Sequence, residues 1–209
     1  MNLNQLDTEL FLWINKHHCT ASDWILWMAS QSWSWAIVLV LAFILTTLRH
    51  EPRRWWLVLL GIVLCFLFAD RISVLIKNWA CRPRQCHTLE DVRMFRTSCG
   101  GMYGFVSSHA ANVFSLAIFL TLRYLKNLSH RTAPVHKLSS RHHLLFPSLI
   151  FLWALVVCYS RPYLGKHYPG DIVCGAILGL IIGTAIFALL LLVENQIYNK
   201  NRQKKASAL

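Results

Sequence analysis

The sequence predicts an all-α fold, a polytopic bundle of transmembrane helices, and three observations carry that prediction. Of 209 residues, 56% are hydrophobic and only 14% are charged, whereas a soluble domain carries about a quarter charged residues. The mean hydropathy is +0.43. Several apolar runs reach or approach the ~18–20 residues that cross a bilayer core. No repeat or low-complexity tract divides the chain, so residues 1–209 are expected to form a single membrane-embedded domain.

Residues 1–20 carry Asp7 and Glu9 where a signal peptide would be basic, and no long apolar run precedes a small-residue cleavage site. Leu3, Leu6, Leu10, Trp13 and Ile14 recur at helical spacing, which predicts a helix lying in the membrane interface. About five spans follow. The first covers about 33–48, with 23–30 as a possible extension. The others cover about 55–77, 106–125, 144–159 and 169–193.

The formal charge of +12 would suggest nucleic acid in a soluble protein. In a membrane chain, Lys and Arg instead collect in cytoplasmic loops, and nucleic acid is not an expected partner. Five spans put Arg49, Arg53, Arg54, Arg123, Lys126, Arg131, Lys137, Arg141 and the basic tail at about 197–209 on one side. That side holds twelve Lys/Arg against eight on the other, and is read as cytoplasmic. The other side then receives three polar segments: the loop after span two, the start of span three and the loop before span five.

Each segment carries residues suited to phosphate chemistry. In 160–171, SRPYLGKHYPGD, His167 and Asp171 are four apart and share a helical face. A carboxylate on one imidazole nitrogen fixes the tautomer and leaves the other nitrogen free to act as nucleophile or base. Asp171 also leads a stripe of Gly175, Gly179 and Gly183, a close-packing pattern that turns it toward the bundle interior. In 104–114, GFVSSHAANVF, Ser107 and Ser108 open the third apolar helix, where backbone N–H groups bind anions, and His109 could donate a proton. In 77–87, KNWACRPRQCH, Lys77, Arg82 and Arg84 supply cations for phosphate oxygens. Individually these are ordinary caps and interfacial anchors. Together they supply charge neutralisation, a nucleophile and an acid, the needs of a metal-free phosphoryl transfer.

The three segments, in this order, strongly resemble the type-2 phosphatidic acid phosphatase superfamily, integral-membrane lipid phosphatases related to vanadium haloperoxidases. The third family motif is complete as Ser160-Arg161, His167 and Asp171. The first runs from Lys77 to Arg84, with Gln85 in place of proline. The second reads Val106-Ser107-Ser108-His109, without its proline and glycine. The resemblance covers a motif core of 77–171 in one phosphatase domain. It implies that His167 attacks phosphorus, that Asp171 orients it, and that His109 protonates the leaving oxygen. It also implies that Lys77, Arg84, Arg161, Ser107 and the backbone near Ser108 hold the phosphate, with no metal or other cofactor. Arg82 falls in the spacer of the first motif and stays outside this set.

Cys65, Cys158 and Cys174 read as packing residues. Cys86 and Cys99 could staple the outer loop by a disulfide, and Cys86, His87 and Cys99 match no standard zinc spacing. The expected partners are a lipid phosphate and membrane lipids, in a bacterial inner membrane with the site facing the periplasm. The small external loops favour undecaprenyl diphosphate as substrate. Lipid A phosphates and phosphatidylglycerol phosphate or phosphatidate are the alternatives. A small transporter and an idle scaffold are the rival classes. The transporter is opposed by the clustering of polar residues at one face, the scaffold by the intact His167–Asp171 motif.

Overall fold

The structure, a computed structural model, describes residues 2–47, 54–129 and 142–207. Arg49, Arg53, Arg131, Lys137 and Arg141, which enter the charge count above, lie outside the described residues. Eight helices form among the described residues: α1 (Leu3–Lys16), α2 (Thr20–Ala29), α3 (Ser32–Thr47), α4 (Trp55–Ala80), the single turn α5 (Gln85–Thr88), α6 (Ser108–Ser129), α7 (His142–Tyr163) and α8 (Pro169–Ala206). It is the expected all-helical membrane architecture.

Helix α6 is the centre of the bundle, packed against α8, α4, α7 and α3. Its Ala110, Ala111, Val113, Leu116, Ala117, Phe119 and Leu120 are fully buried. This explains why the spans do not count as the hydropathy pattern suggests. α4, α7 and α8 are long and apolar enough to cross a membrane, and the α2–α3 pair makes a fourth candidate if taken as one span. Helix α6 is not among them, although 22 residues reach about 33 Å. Sheathed by other helices, it need not be apolar all round, and its polar residues face protein.

The α6–α8 contact rests on the glycine stripe. A Cβ on Gly175, Gly179 or Gly183 would lie 2.6, 2.4 or 2.2 Å from the carbonyl oxygen of Ser107, Ala111 or Ser115 respectively. Only a missing side chain lets the two backbones approach this closely.

Three features differ from the sequence expectation. The 23–30 stretch is a separate helix, bent by 61° from α3. Asp23, near the start of α2, accepts both arms of Arg93 at 2.9 and 2.6 Å and the Tyr163 hydroxyl at 2.7 Å, which holds α2 against the outer loop and α7. On α1, Leu3, Leu6, Leu10 and Trp13 are exposed as an interfacial helix requires, but Ile14 turns inward with Phe11 and Asn15. Asn15 bonds the backbone of Arg93 and Tyr163, each at 2.9 Å, and so pins α1 to the outer loop and to α7. Finally, α8 continues to Ala206, about 57 Å in all, so the basic residues Lys200, Arg202, Lys204 and Lys205 lie on a helix.

Near the far end of α8, buried Glu194 gathers Arg123 at 2.7 Å, Lys126 at 2.5 Å and Arg54. These three cations belong to the side read as cytoplasmic. Glu194 lies 23 residues beyond Asp171 on the same helix, about 35 Å away, so the two charge centres mark opposite ends of the bundle.

Candidate active site

Four helix termini meet at the end opposite Glu194. Helix α4 stops at Cys81, whose left-handed φ of 48° breaks the helix ahead of Arg82-Pro83. Helix α6 starts there at Ser108. Helix α7 carries Ser160 and Arg161 in its last turns rather than in a loop, and α8 begins at Pro169, where proline at the first position favours a helix start. The turn between α7 and α8 depends on Gly165. Its φ is +77°, and a Cβ would sit 2.8 Å from the Arg93 carbonyl. Glycine there lets Lys166 and His167 fold back over the bundle end.

A cavity of about 540 Å³ opens at this junction. Its polar side is lined by Asp70, Lys77, Arg84, Ser108, His109, Arg161, Lys166 and His167, and its apolar side by Trp35, Leu39 and Phe66. Both expected histidines therefore face one space. His109 packs edge-on against Trp35, with ring centroids 5.1 Å apart.

His167 is buried, with Nδ1 3.4 Å from Asp171 Oδ2 and Nε2 3.3 Å from Arg84 Nη1. The carboxylate thus sits on the Nδ1 side, and Nε2 is the nitrogen beside the cationic wall. Asp171 lies behind the ring and does not line the cavity. Its Oδ2 also accepts the Tyr168 backbone N–H at 3.1 Å. Burial, then the charges of Arg84, Arg161 and Lys77, holds the His167 ring well below the usual histidine range. It is therefore neutral near pH 7, the form a nucleophile needs.

The cationic wall has an unusual balance. Arg84 donates to the carbonyls of Gly101 and Lys166 at 2.8 and 2.9 Å, Lys77 to the Ser108 hydroxyl, and Lys166 to the Ser98 carbonyl. Arg161 is buried and its Nε has no hydrogen-bond partner. None of these four cations has a carboxylate ion-pair partner among the described residues. Burial, and then the charges of Arg161 and Arg84, pushes the Lys166 ammonium down to about 8. Such a wall is built to receive an anion, which would relieve both burial and mutual repulsion.

Ser107 is placed differently from the expectation. It is fully buried and does not line the cavity. Its N–H donates to the Asp171 carbonyl at 3.0 Å, and its hydroxyl accepts the Ala110 N–H at 3.4 Å. The serine joins α6 to the first turn of α8, while Ser108 faces the cavity. Two residues escaped the sequence reading. Lys166 stands in the spacer of the third motif, immediately before His167 and outside the set that the motifs imply. Arg82 was set aside inside a motif spacer, yet it donates to Asp171 Oδ1 at 2.8 Å.

In the outer loop, Cys86 and Cys99 are disulfide-bonded, which ties the α5 turn following Arg84 to the strand of loop beside the cavity. His87 Nε2 lies 3.3 Å from Cys99 Sγ. This Cys–His cluster is close enough to hold a cation only with both thiols reduced, and the disulfide takes both sulfurs.

A helical membrane bundle with a histidine–carboxylate pair beside a half-buried cationic wall fits a phosphate-handling membrane enzyme. The chain belongs to the PAP2 superfamily, whose profile matches residues 60–193, and it is a membrane lipid phosphatase. It is 27% identical over 199 residues to a lipid A 4'-phosphatase of Porphyromonas gingivalis, covering 92% of this chain and 76% of the relative. It is 32% identical over 184 residues to a lipid A 4'-phosphatase of Bacteroides thetaiotaomicron, covering 85% and 73%. Its fold is similar to the crystal structure of a PAP2-type phosphatidylglycerolphosphate phosphatase of Bacillus subtilis. There the TM-score is 0.66 at 18% identity, over 93% of this chain and 87% of that one.

Proposed function

We propose that the protein removes a phosphate from lipid A at the periplasmic face of a bacterial inner membrane, through a phosphohistidine on His167. The observation that carries the phosphoryl reading is the wall of Lys77, Arg84, Arg161 and Lys166, which has no carboxylate ion-pair partner among the described residues and stands beside His167 Nε2. Lipid A is favoured because both relatives matched over most of the chain are lipid A 4'-phosphatases. It is therefore preferred to undecaprenyl diphosphate, the reading drawn from small external loops. A cavity that admits a phosphate need not enclose the rest of the headgroup, so short loops do not exclude a saccharide lying in the interface. The periplasmic orientation is supported by the basic cluster around Glu194 at the opposite end.

In the proposed reaction, His167 Nε2 bonds to phosphorus as the bond from phosphorus to the lipid oxygen breaks. His109 gives its proton to that oxygen, and the cationic wall balances the charge on the phosphoryl oxygens. A water then attacks phosphorus, losing its proton to His109, and breaks the P–Nε2 bond to release inorganic phosphate. Asp171 holds the Nδ1 proton throughout. No metal takes part.

The test is phosphate release by the purified protein from lipid A, undecaprenyl diphosphate and phosphatidylglycerol phosphate, each with saturating EDTA. Lipid A should give the highest kcat/KM, EDTA should leave it largely intact, and His167→Ala should abolish it in a folded protein. Faster turnover of undecaprenyl diphosphate would overturn the substrate. Loss to EDTA restored only by a divalent ion would overturn the mechanism.

A further inference from the structure

We propose that Arg82 is a positioning residue for this reaction, fixing the carboxylate that orients His167, and that Asp7 on α1 fixes Arg82 in turn. The proposal rests on the reading of His167 and Asp171 given above.

The geometry is a chain of three charged groups. Arg82 Nη1 donates to Asp171 Oδ1 at 2.8 Å, and Nη2 donates to Asp7 Oδ2 at 2.7 Å. The other oxygen of Asp7 accepts the Gly170 N–H at 2.7 Å. The guanidinium stacks on Tyr168, 4.2 Å from the ring centroid. Each group in the chain is thus held at two or more points, by residues flanking His167 in sequence.

Arg82 does not line the cavity, whereas Lys77, Arg84, Arg161 and Lys166 do. Its charge therefore lies behind Asp171, away from the space a phosphate would enter. An exposed ion pair there would contribute little, but the Asp171 side chain is only 1% exposed. Removing Arg82 would leave that carboxylate buried without its counter-charge. It would also free Oδ1, and with it the rotation that holds Oδ2 toward His167 Nδ1. A lysine could reach one carboxylate as a point charge, but only the planar fork holds both.

Asp7 extends the chain to the N-terminal helix. Leu3, Leu6, Leu10 and Trp13 are exposed on α1, while Asp7 turns inward to Arg82 and Gly170. The seating of an interfacial helix is thereby tied to the geometry of the His167–Asp171 pair.

The experiment uses the purified full chain and the lipid phosphate it turns over fastest. Arg82→Ala and Asp7→Asn should lower kcat by roughly 10- to 100-fold, the scale typical of outer partners of a functional ligand. KM and inhibition by inorganic phosphate should stay within about two-fold, because binding rests on other cations. Arg82→Lys should recover only part of the loss. In an Asp171→Asn background, Arg82→Ala should add less than about three-fold, since it acts through Asp171. Unchanged kcat in Arg82→Ala, a raised KM with kcat kept, or full additivity with Asp171→Asn would each overturn the proposal. If Arg82→Ala cannot be purified folded, Asp7→Asn decides, and a wild-type kcat there overturns the role of α1 and of its brace. A harmless Asp171→Asn would sink the His167–Asp171 reading itself. A damaging Asp171→Asn with a harmless Arg82→Ala would sink this inference alone.

Discussion

Asp171 uses both carboxylate oxygens, one toward Arg82 and the other toward His167 and the Tyr168 N–H. A capping aspartate would need only the last of these contacts, and asparagine caps about as well. The two roles predict different outcomes. Asp171→Asn should lower kcat by at least ~10²-fold with little change in KM, because the amide brings no charge and can present a donor to Nδ1. Steady-state kinetics of the purified variant check this, and kcat within a few-fold of wild type would reduce Asp171 to a cap. Lys166 predicts a pH effect. With its ammonium pushed down to about 8, the charge is present below that pH and lost above it. KM should rise as pH passes about 8, and Lys166→Gln should lessen that rise while raising KM at neutral pH. A KM that stays flat to pH 9 in the wild type would exclude Lys166 from phosphate binding. The residue types at this site were legible because three segments that carry them follow in motif order, although each alone reads as an ordinary cap or anchor. Their partners were not, since Arg82 to Asp171 spans 89 positions and no local pattern encodes such a contact.

The helix pair α6–α8 carries the site, because Ser107 to Ser115 of one faces Asp171 to Gly183 of the other. A side chain in the glycine stripe must push the backbones apart. Gly179→Val places its Cβ 2.4 Å from the Ala111 carbonyl oxygen. It should cost roughly 1–3 kcal/mol or more by overpacking and shift His109 away from His167. Ile177→Val, on the exposed side of α8, should change little. Thermal unfolding in detergent with a parallel activity assay tests the pair, and equal Tm values would mean that α6 and α8 do not pack through the stripe. The stripe and the existence of both helices could be read from spacing. The seating of α2 could not, because Asp23 reaches Arg93 and Tyr163, 70 and 140 positions away.

For the whole molecule, the two charge centres at opposite ends of the bundle predict the topology. Single cysteines at Thr88, beside the candidate site, and at Lys200, beyond Glu194, should label from opposite sides of the membrane in intact cells. Thr88 should be the accessible one. Labelling of both from one side would break the proposed arrangement. Glu194 makes this prediction firmer than the loop charges alone, since Arg123 and Lys126 converge on it.

The sequence by itself determined that the chain is a helical membrane bundle, because a bilayer-embedded chain satisfies its backbone as helices or as a closed barrel, and continuous apolar runs lack the alternation of barrel strands. It also predicted which residue types the candidate site gathers and that they share one membrane face, because successive spans alternate sides. Tertiary structure alone decided that α6 is enclosed rather than lipid-facing, that Ser107 joins α6 to α8 instead of lining the cavity, and that Lys166 joins the cationic wall. It alone decided that Asp7, seven residues into the chain, supports Asp171 through Arg82. The reason is the range of the forces. Hydropathy and helical periodicity act over neighbouring residues and leave a pattern in the sequence. Buried charges choose whichever partner the packing brings within about 3 Å, wherever it stands in the chain.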